Sequence, residues 1–155
     1  MLLSLDQPAP DFTTATDLNP ILTLKSFKGR HLILYFYPKD DTPGCTLESC
    51  GFRDVYPEIQ QCQGAILGVS KDNITSHKKF RTKYNLPFEL AADSDGTLCK
   101  LYDVLQEKNM YGKKYIGIER STFLIDCNGI LRKMWRNVKV PGHIQEVLRA
   151  LKNLE

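Results

Sequence analysis

The chain has 155 residues, of which 42% are hydrophobic and 25% charged, and 21 basic against 18 acidic residues give a formal net charge of +3. This is the composition of a soluble globular protein, so global disorder is excluded and we expect residues 1–155 to form one domain. The small, scattered charge excess argues against nucleic acid as a partner. No apolar run approaches the roughly 20 residues of a membrane helix, and residues 1–6 lack the basic start of a signal peptide. We therefore expect a cytoplasmic protein that does not bind membranes.

The first part of the chain predicts two strands and a helix. Residues 21–24 are a possible short strand, and residues 31–37 (HLILYFY) form a nearly continuous apolar run, typical of a strand buried on both faces. Thr42 suits a helix N-cap and Pro43 suits the first helical position. A helix should follow, and Pro57 should kink or end it.

The middle of the chain continues the alternation of strands and helices. We predict strands over residues 65–69 and 88–90, a helix capped by Asp72 or Asn73, and a short helix over residues 97–102.

A hairpin followed by a helix is predicted at the end of the chain. Residues 120–126 and 130–135 alternate in polarity and flank Cys127-Asn128-Gly129, where Asn-Gly accepts positive φ at low cost. Residues 141–154 read as an amphipathic helix. Strands alternating with helices in this order predict an α/β fold, with a central mixed sheet flanked by helices.

Candidate chemistry is concentrated in the loop after the long apolar run. Cys45 should lie in the first turn of a helix, where free backbone N–H groups and the helix dipole favour an anion. A thiol there should ionise more readily, and the thiolate is the nucleophilic form. Gly44 allows a small substrate to approach the backbone, and Thr42 offers a hydroxyl. The alternative is a buried structural cysteine, because free cysteines are among the most buried residues.

Cys50 lies five residues after Cys45. If both are helical, their Cα atoms are about 8.6 Å apart, whereas a disulfide spans no more than roughly 7 Å without backbone movement. Either the two cysteines are unrelated or the helix opens during function. The C-x₄-C spacing is not a zinc spacing and no second Cys/His pair supports one, so we expect no metal.

Residues 35–50 (YFYPKDDTPGCTLESC) resemble the active-site segment of the peroxiredoxins. P-x-x-x-T-x-x-C is the general peroxiredoxin signature, and a second cysteine five residues on marks the peroxiredoxin Q group, also called bacterioferritin comigratory protein. The resemblance continues through residues 120–126 (RSTFLID) and Gly142-His143, and so covers nearly the whole chain. It implies a thioredoxin-like fold with peroxiredoxin additions.

The resemblance also implies residue roles. Cys45 matches the peroxidatic cysteine, and Cys50 matches the resolving cysteine that forms a disulfide with it. The other matching positions are Pro38, Thr42 and Arg120 in the peroxide-activating set, Gly44 with its nearby backbone N–H groups, and Glu48, which helps to orient the arginine.

The implied activity is that of an atypical 2-Cys, thioredoxin-dependent peroxidase. It would reduce hydrogen peroxide and organic hydroperoxides, and thioredoxin or a glutaredoxin would reduce the resulting disulfide. No metal or organic cofactor is needed, because sulfur carries the redox change. We expect a monomer, with a weak dimer as the alternative.

Three other functions are alternatives to this one. A general thiol–disulfide oxidoreductase usually carries C-x-x-C, which is absent. A redox-sensing or holdase-type protein would use the disulfide to switch a binding surface. A cysteine hydrolase would pair Cys45 with a histidine but would have no use for Cys50. The remaining cysteines are expected to be bystanders: Cys62, Cys99 and Cys127.

Overall fold

A five-stranded sheet lies at the centre of the structure, a computed structural model that describes residues 3–154. Met1, Leu2 and Glu155 lie outside the described residues, and so does the start of residues 1–6, for which no signal peptide is expected. The elements in chain order are β1 (Thr13–Thr14), β2 (Leu22–Thr23), a 3₁₀ helix (Leu24–Phe27), β3 (His31–Phe36), α1 (Pro43–Gln61), β4 (Gly64–Ser70), α2 (Ile74–Tyr84), β5 (Glu89–Ala92), α3 (Thr97–Leu101), β6 (Leu105–Met110), β7 (Lys113–Ile118), β8 (Ser121–Ile125), β9 (Leu131–Trp135) and α4 (His143–Lys152).

The central sheet has the strand order β5-β4-β3-β8-β9. Strands β3, β4 and β5 are parallel, while β8 is antiparallel to β3 and β9 is antiparallel to β8. Successive side chains of β3 enter two separate cores: Leu34 packs with residues of α3, and Tyr35 packs with residues of α1, α2 and α4. The predicted α/β fold with a central mixed sheet flanked by helices is confirmed.

The active-site loop follows from this topology. Because β3 and β4 are parallel, their carboxyl ends meet at one edge of the sheet, and the loop over residues 37–42 leads from there into α1. Thr42 is the N-cap residue with extended backbone (φ −89°, ψ 156°), and Pro43 is the first helical residue, as predicted. The expected side-chain cap is absent, because the Thr42 hydroxyl donates to Lys39 O at 2.9 Å instead.

Pro57 lies inside α1 and does not end it, so the part of the prediction that allowed an end there is wrong. A proline removes one helical hydrogen bond. Val55 and Ile59, on either side of it, are buried in the core that α1 shares with the sheet, so packing holds the helix on both sides of the proline.

Two turns differ from the sequence prediction. In the β8–β9 hairpin, positive φ is adopted by Gly129 (80°) and not by Asn128, so the turn needs the glycine alone. The β6–β7 hairpin was not predicted; its turn residues Tyr111 and Gly112 both have positive φ (54° and 79°), as a two-residue type I′ turn requires. A search of the helices within residues 3–154 finds none with the length and apolar character of a membrane span.

Candidate active site

Cys45 is the third residue of α1 and is almost wholly buried, with 1% of its surface exposed. Arg120 directly precedes β8, which pairs with β3, and this pairing carries the guanidinium to the start of α1. Its Nη2 donates to Cys45 Sγ at 3.4 Å, and its Nη1 donates to Glu48 Oε1 at 2.7 Å. A Cβ on Gly44 would lie 3.0 Å from Arg120 Nη2, so the bare glycine makes room for the guanidinium.

Glu48 is wholly buried behind the arginine. Burial raises the pKa of Glu48 to about 7, although the Arg120 guanidinium counteracts part of that rise. Among residues 3–154, Glu48 Oε2 has no hydrogen-bond partner; His143 Nε2 is 4.0 Å away and is hydrogen-bonded to Thr122 Oγ1 at 2.8 Å. Burial lowers the pKa of His143 to about 4, so this imidazole is neutral at physiological pH and does not neutralise the carboxylate.

This buried carboxyl predicts a pH-dependent stability. Its pKa is about 7 in the folded protein against 4.5 as the ordinary value, so the unfolded chain releases the proton first and stability is lost as pH rises from about 4.5 through 7. Glu48→Gln cannot ionise and escapes this loss. We therefore compare the unfolding free energies of the variant and the wild type by urea denaturation at pH 5 and at pH 8.5. The difference in favour of the variant should grow by up to about 3 kcal/mol between these two pH values.

The matched control for that measurement is Glu58→Gln, because Glu58 is half-exposed on the same helix and pairs with Lys152 at 3.1 Å. It should show no pH-dependent gain over the wild type. Equal pH dependence of the Glu48 and Glu58 variants would contradict the raised pKa.

Three of the predicted site residues lie outside the hydrogen-bond network that joins Cys45, Arg120 and Glu48. The Thr42 hydroxyl faces Lys39 O, and Pro38 is exposed in the loop after β3. Cys50 is a half-buried free thiol in the same unbroken helix as Cys45. Burial raises the pKa of the Cys50 thiol, and the nearby Arg53 guanidinium offsets part of that effect. The structure therefore brings Gly44, Cys45, Glu48 and Arg120 together and leaves the other three outside this cluster.

The histidines are engaged elsewhere in the described part of the chain. His31 Nδ1 accepts from Cys127 N at 3.1 Å, His77 Nδ1 lies 2.7 Å from Asp40 Oδ2, and His143 bonds to Thr122. None of these hydrogen bonds reaches Cys45, so the Cys–His arrangement of a hydrolase is not formed. Of the cysteines expected to be bystanders, Cys99 is buried and Cys62 and Cys127 are half-buried.

Sequence reasoning missed the groups that support the site. Asp40 holds the active-site loop from within the core: its carboxylate accepts from Tyr37 OH at 2.6 Å and from Ser76 Oγ at 2.7 Å, and its backbone N–H donates to Asp72 Oδ2 at 2.7 Å. Sequence spacing gave no sign of this cluster, because its members are brought together by the parallel arrangement of β3 and β4. The family resemblance includes the Gly142-His143 pair but implies no role for it.

Comparison with known proteins agrees with this geometry. Residues 5–134 match the AhpC/TSA family. The chain is 52% identical to the putative peroxiredoxin Bcp of Coxiella burnetii, over 97% of this chain and all of that one. It is 46% identical to peroxiredoxin Bcp of Bacillus subtilis, over 99% and 98% of the two chains.

Solved structures show the same likeness. The bacterioferritin comigratory protein of Xanthomonas campestris, described for its alkyl peroxide reduction activity, superposes with a TM-score of 0.86 at 45% identity, covering 91% of this chain and 90% of that one. A variant of Xylella fastidiosa PrxQ gives a TM-score of 0.91 at 40% identity, covering 98% and 97%. A thioredoxin-like peroxiredoxin fold around a buried cysteine and an arginine defines a thiol peroxidase. The chain belongs to the AhpC/TSA family, within its Bcp or peroxiredoxin Q group.

Proposed function

We propose that this peroxidase reduces hydrogen peroxide and organic hydroperoxides with Cys45 as the attacking sulfur and Cys50 as the resolving sulfur. The observation that carries the proposal is the Arg120 guanidinium, which donates to Cys45 Sγ at 3.4 Å while Glu48 Oε1 fixes its other nitrogen at 2.7 Å. A fixed, permanently charged donor next to a buried thiol is suited to stabilising an anionic reaction.

In the first step, the Cys45 thiolate attacks the terminal oxygen of the peroxide. A sulfur–oxygen bond forms, the oxygen–oxygen bond breaks, and the leaving hydroxide or alkoxide takes up a proton to become water or an alcohol. Cys45 is left as a sulfenic acid, oxidised by two electrons. Negative charge moves from sulfur to the leaving oxygen, and Arg120 has donors for both atoms. We propose that Pro38 forms part of the wall of the peroxide site and that backbone N–H groups near Gly44 donate to the peroxide. The Thr42 hydroxyl joins these donors when it turns away from Lys39 O.

In the second step, the Cys50 thiol condenses with the sulfenic acid, forming the Cys45–Cys50 disulfide and releasing water. Because both cysteines lie in the continuous helix α1, its first turns must unwind. Unwinding breaks the Arg120–Glu48 ion pair and the hydrogen bond between Ser49 Oγ and Tyr35 OH at 2.8 Å. These contacts favour the closed helix in the reduced enzyme, and the disulfide holds the helix open in the oxidised enzyme.

In the third step, an external dithiol protein reduces the disulfide by thiol–disulfide exchange and becomes oxidised itself. We propose thioredoxin or a glutaredoxin for this role, in the cytoplasm. Over the whole cycle, one peroxide and one dithiol are consumed. The products are one alcohol or water from the peroxide, one further water, and one disulfide.

An internal resolving cysteine needs no partner subunit, so we propose a single-domain monomer over residues 1–155, with a weak dimer as the alternative.

Stopped-flow mixing of the reduced protein with hydrogen peroxide tests the proposal. The single tryptophan, Trp135, has its ring centroid 5.7 Å from that of His143, behind Glu48, and is a natural fluorescence reporter of the site. We expect a fluorescence change that is first order in peroxide and matches the loss of titratable thiol. Thiol loss no faster than that of free cysteine would contradict the proposed activity.

A further inference from the structure

Lys108 differs from the other lysines of the β6–β7 hairpin. Lys113 and Lys114 are exposed, and Lys114 Nζ lies 3.5 Å from Glu107 Oε1 at the surface. Lys108 is half-buried, and its Nζ donates to Ile118 O at 2.6 Å. Ile118 is the last residue of β7, two residues before Arg120. The ammonium is therefore held at the base of the hairpin, beside the segment that carries the active-site arginine.

A glycine provides the path for this side chain. A Cβ at Gly117 would lie 3.1 Å from Lys108 Cδ and 3.5 Å from Lys108 Cε, so the lysine stem lies flat against bare backbone. Tyr115 is opposite Lys108 in the β6–β7 register, and its Cε2 would be 3.1 Å from the same Cβ. The stem and the Tyr115 ring thus both lie against the bare backbone of Gly117, and a side chain at position 117 would displace the stem.

The ammonium at the end of this stem lies beside the segment that carries Arg120. Burial lowers the pKa of Lys108, the Arg120 guanidinium lowers it further, and the Cys45 sulfur and the Glu119 carboxylate act in the opposite direction. These effects agree with the geometry: the ammonium is bonded to Ile118 O, two residues before Arg120, and the Arg120 guanidinium in turn donates to Cys45 Sγ at 3.4 Å. Its bond to Ile118 O occupies one of three N–H donors.

We propose that Lys108 is a second cation of the peroxidase site, a positioning residue that stabilises the negative charge shared by the Cys45 sulfur and the leaving peroxide oxygen. It does so without touching the reacting atoms, and its bond to Ile118 fixes the strand end that precedes Arg120. The proposal rests on the proposed function. A half-buried cation that makes no direct contact contributes less than a direct donor, so the effect is moderate.

The test separates the charge of Lys108 from its hydrogen bond. Lys108→Gln keeps a donor for Ile118 O but loses the charge, Lys108→Arg keeps the charge, and Lys114→Gln is the control on the same hairpin. The readout is the second-order rate constant of the reduced protein with hydrogen peroxide at low and high salt. We expect Lys108→Gln to slow the reaction about threefold to tenfold at low salt, with a smaller difference at high salt. Lys108→Arg should restore most of the rate, and Lys114→Gln should match the wild type.

A purely structural role gives a different pattern. If Lys108→Gln reacts as fast as Lys114→Gln at both salt concentrations, the charge is not used and the proposal is overturned. The same holds if Lys108→Arg is as slow as Lys108→Gln. Failure of the proposed function would be distinguishable, because the wild type itself would then show no fast reaction with peroxide.

Discussion

Cys50→Ser is expected to consume one equivalent of peroxide and then stop. Cys45 in this variant keeps its buried position and its contact with Arg120, so the first step proceeds at the wild-type rate. The sulfenic acid then has no internal thiol to condense with. Steady-state turnover with thioredoxin should fall to the background rate, while intact-protein mass spectrometry after trapping with dimedone should show one adduct per chain.

Cys45→Ser is the matched control, because it leaves Cys50 in place and removes the attacking sulfur. This variant should show neither the initial consumption of peroxide nor a dimedone adduct. Cys62→Ser changes a half-buried cysteine at the other end of α1 and should turn over like the wild type. Full steady-state turnover of Cys50→Ser would remove Cys50 from the resolving role.

Arg120→Met is expected to lower the rate constant for the first step by roughly 10²–10³-fold, the usual effect of removing one donor to developing negative charge. The methionine fills similar space but donates to neither Cys45 Sγ nor Glu48 Oε1, both of which Arg120 contacts in the structure. Stopped-flow fluorescence with hydrogen peroxide measures the effect, at a pH where the Glu48 carboxyl is protonated, so that an unpaired buried charge does not also perturb the fold.

Two further variants test the role of Arg120 as a direct donor in the first step. Arg120→Lys keeps a cation but loses the planar fork that reaches sulfur and carboxylate together, so it should recover only part of the rate. Arg132→Met removes an arginine of the neighbouring strand, one that pairs with Asp6 and Asp126, and should leave the rate unchanged. A loss of less than threefold in Arg120→Met would contradict a direct role for the guanidinium.

Much of the fold was predictable because its signals are local. The buried run of β3, the Thr42-Pro43 helix start and the Gly129 turn each depend on residues adjacent in sequence. The β6–β7 hairpin was missed because its residues are largely exposed and show little hydrophobic periodicity. The Tyr111-Gly112 turn was the one available signal, since a two-residue turn favours glycine at its second position.

The site was predictable in part. The position of Cys45 at a helix start follows from sequence alone, whereas its contact with Arg120 depends on the pairing of β8 with β3, which brings residues 75 positions apart together. The family resemblance supplied Arg120 and Glu48. It supplied no role for Lys108, whose position depends on the bare backbone of Gly117.

The proposed cycle requires α1 to unwind between Cys45 and Cys50 before the two sulfurs can bond. Hydrogen–deuterium exchange of the reduced and peroxide-oxidised protein, read by mass spectrometry, tests this most directly, with α2 as the internal reference. We predict that peptides covering residues 43–52 exchange much faster in the oxidised protein, while Ile74–Tyr84 is unchanged. A Cys45–Cys50 disulfide formed with the protection of α1 intact, or an oxidised protein without that disulfide, would contradict the account.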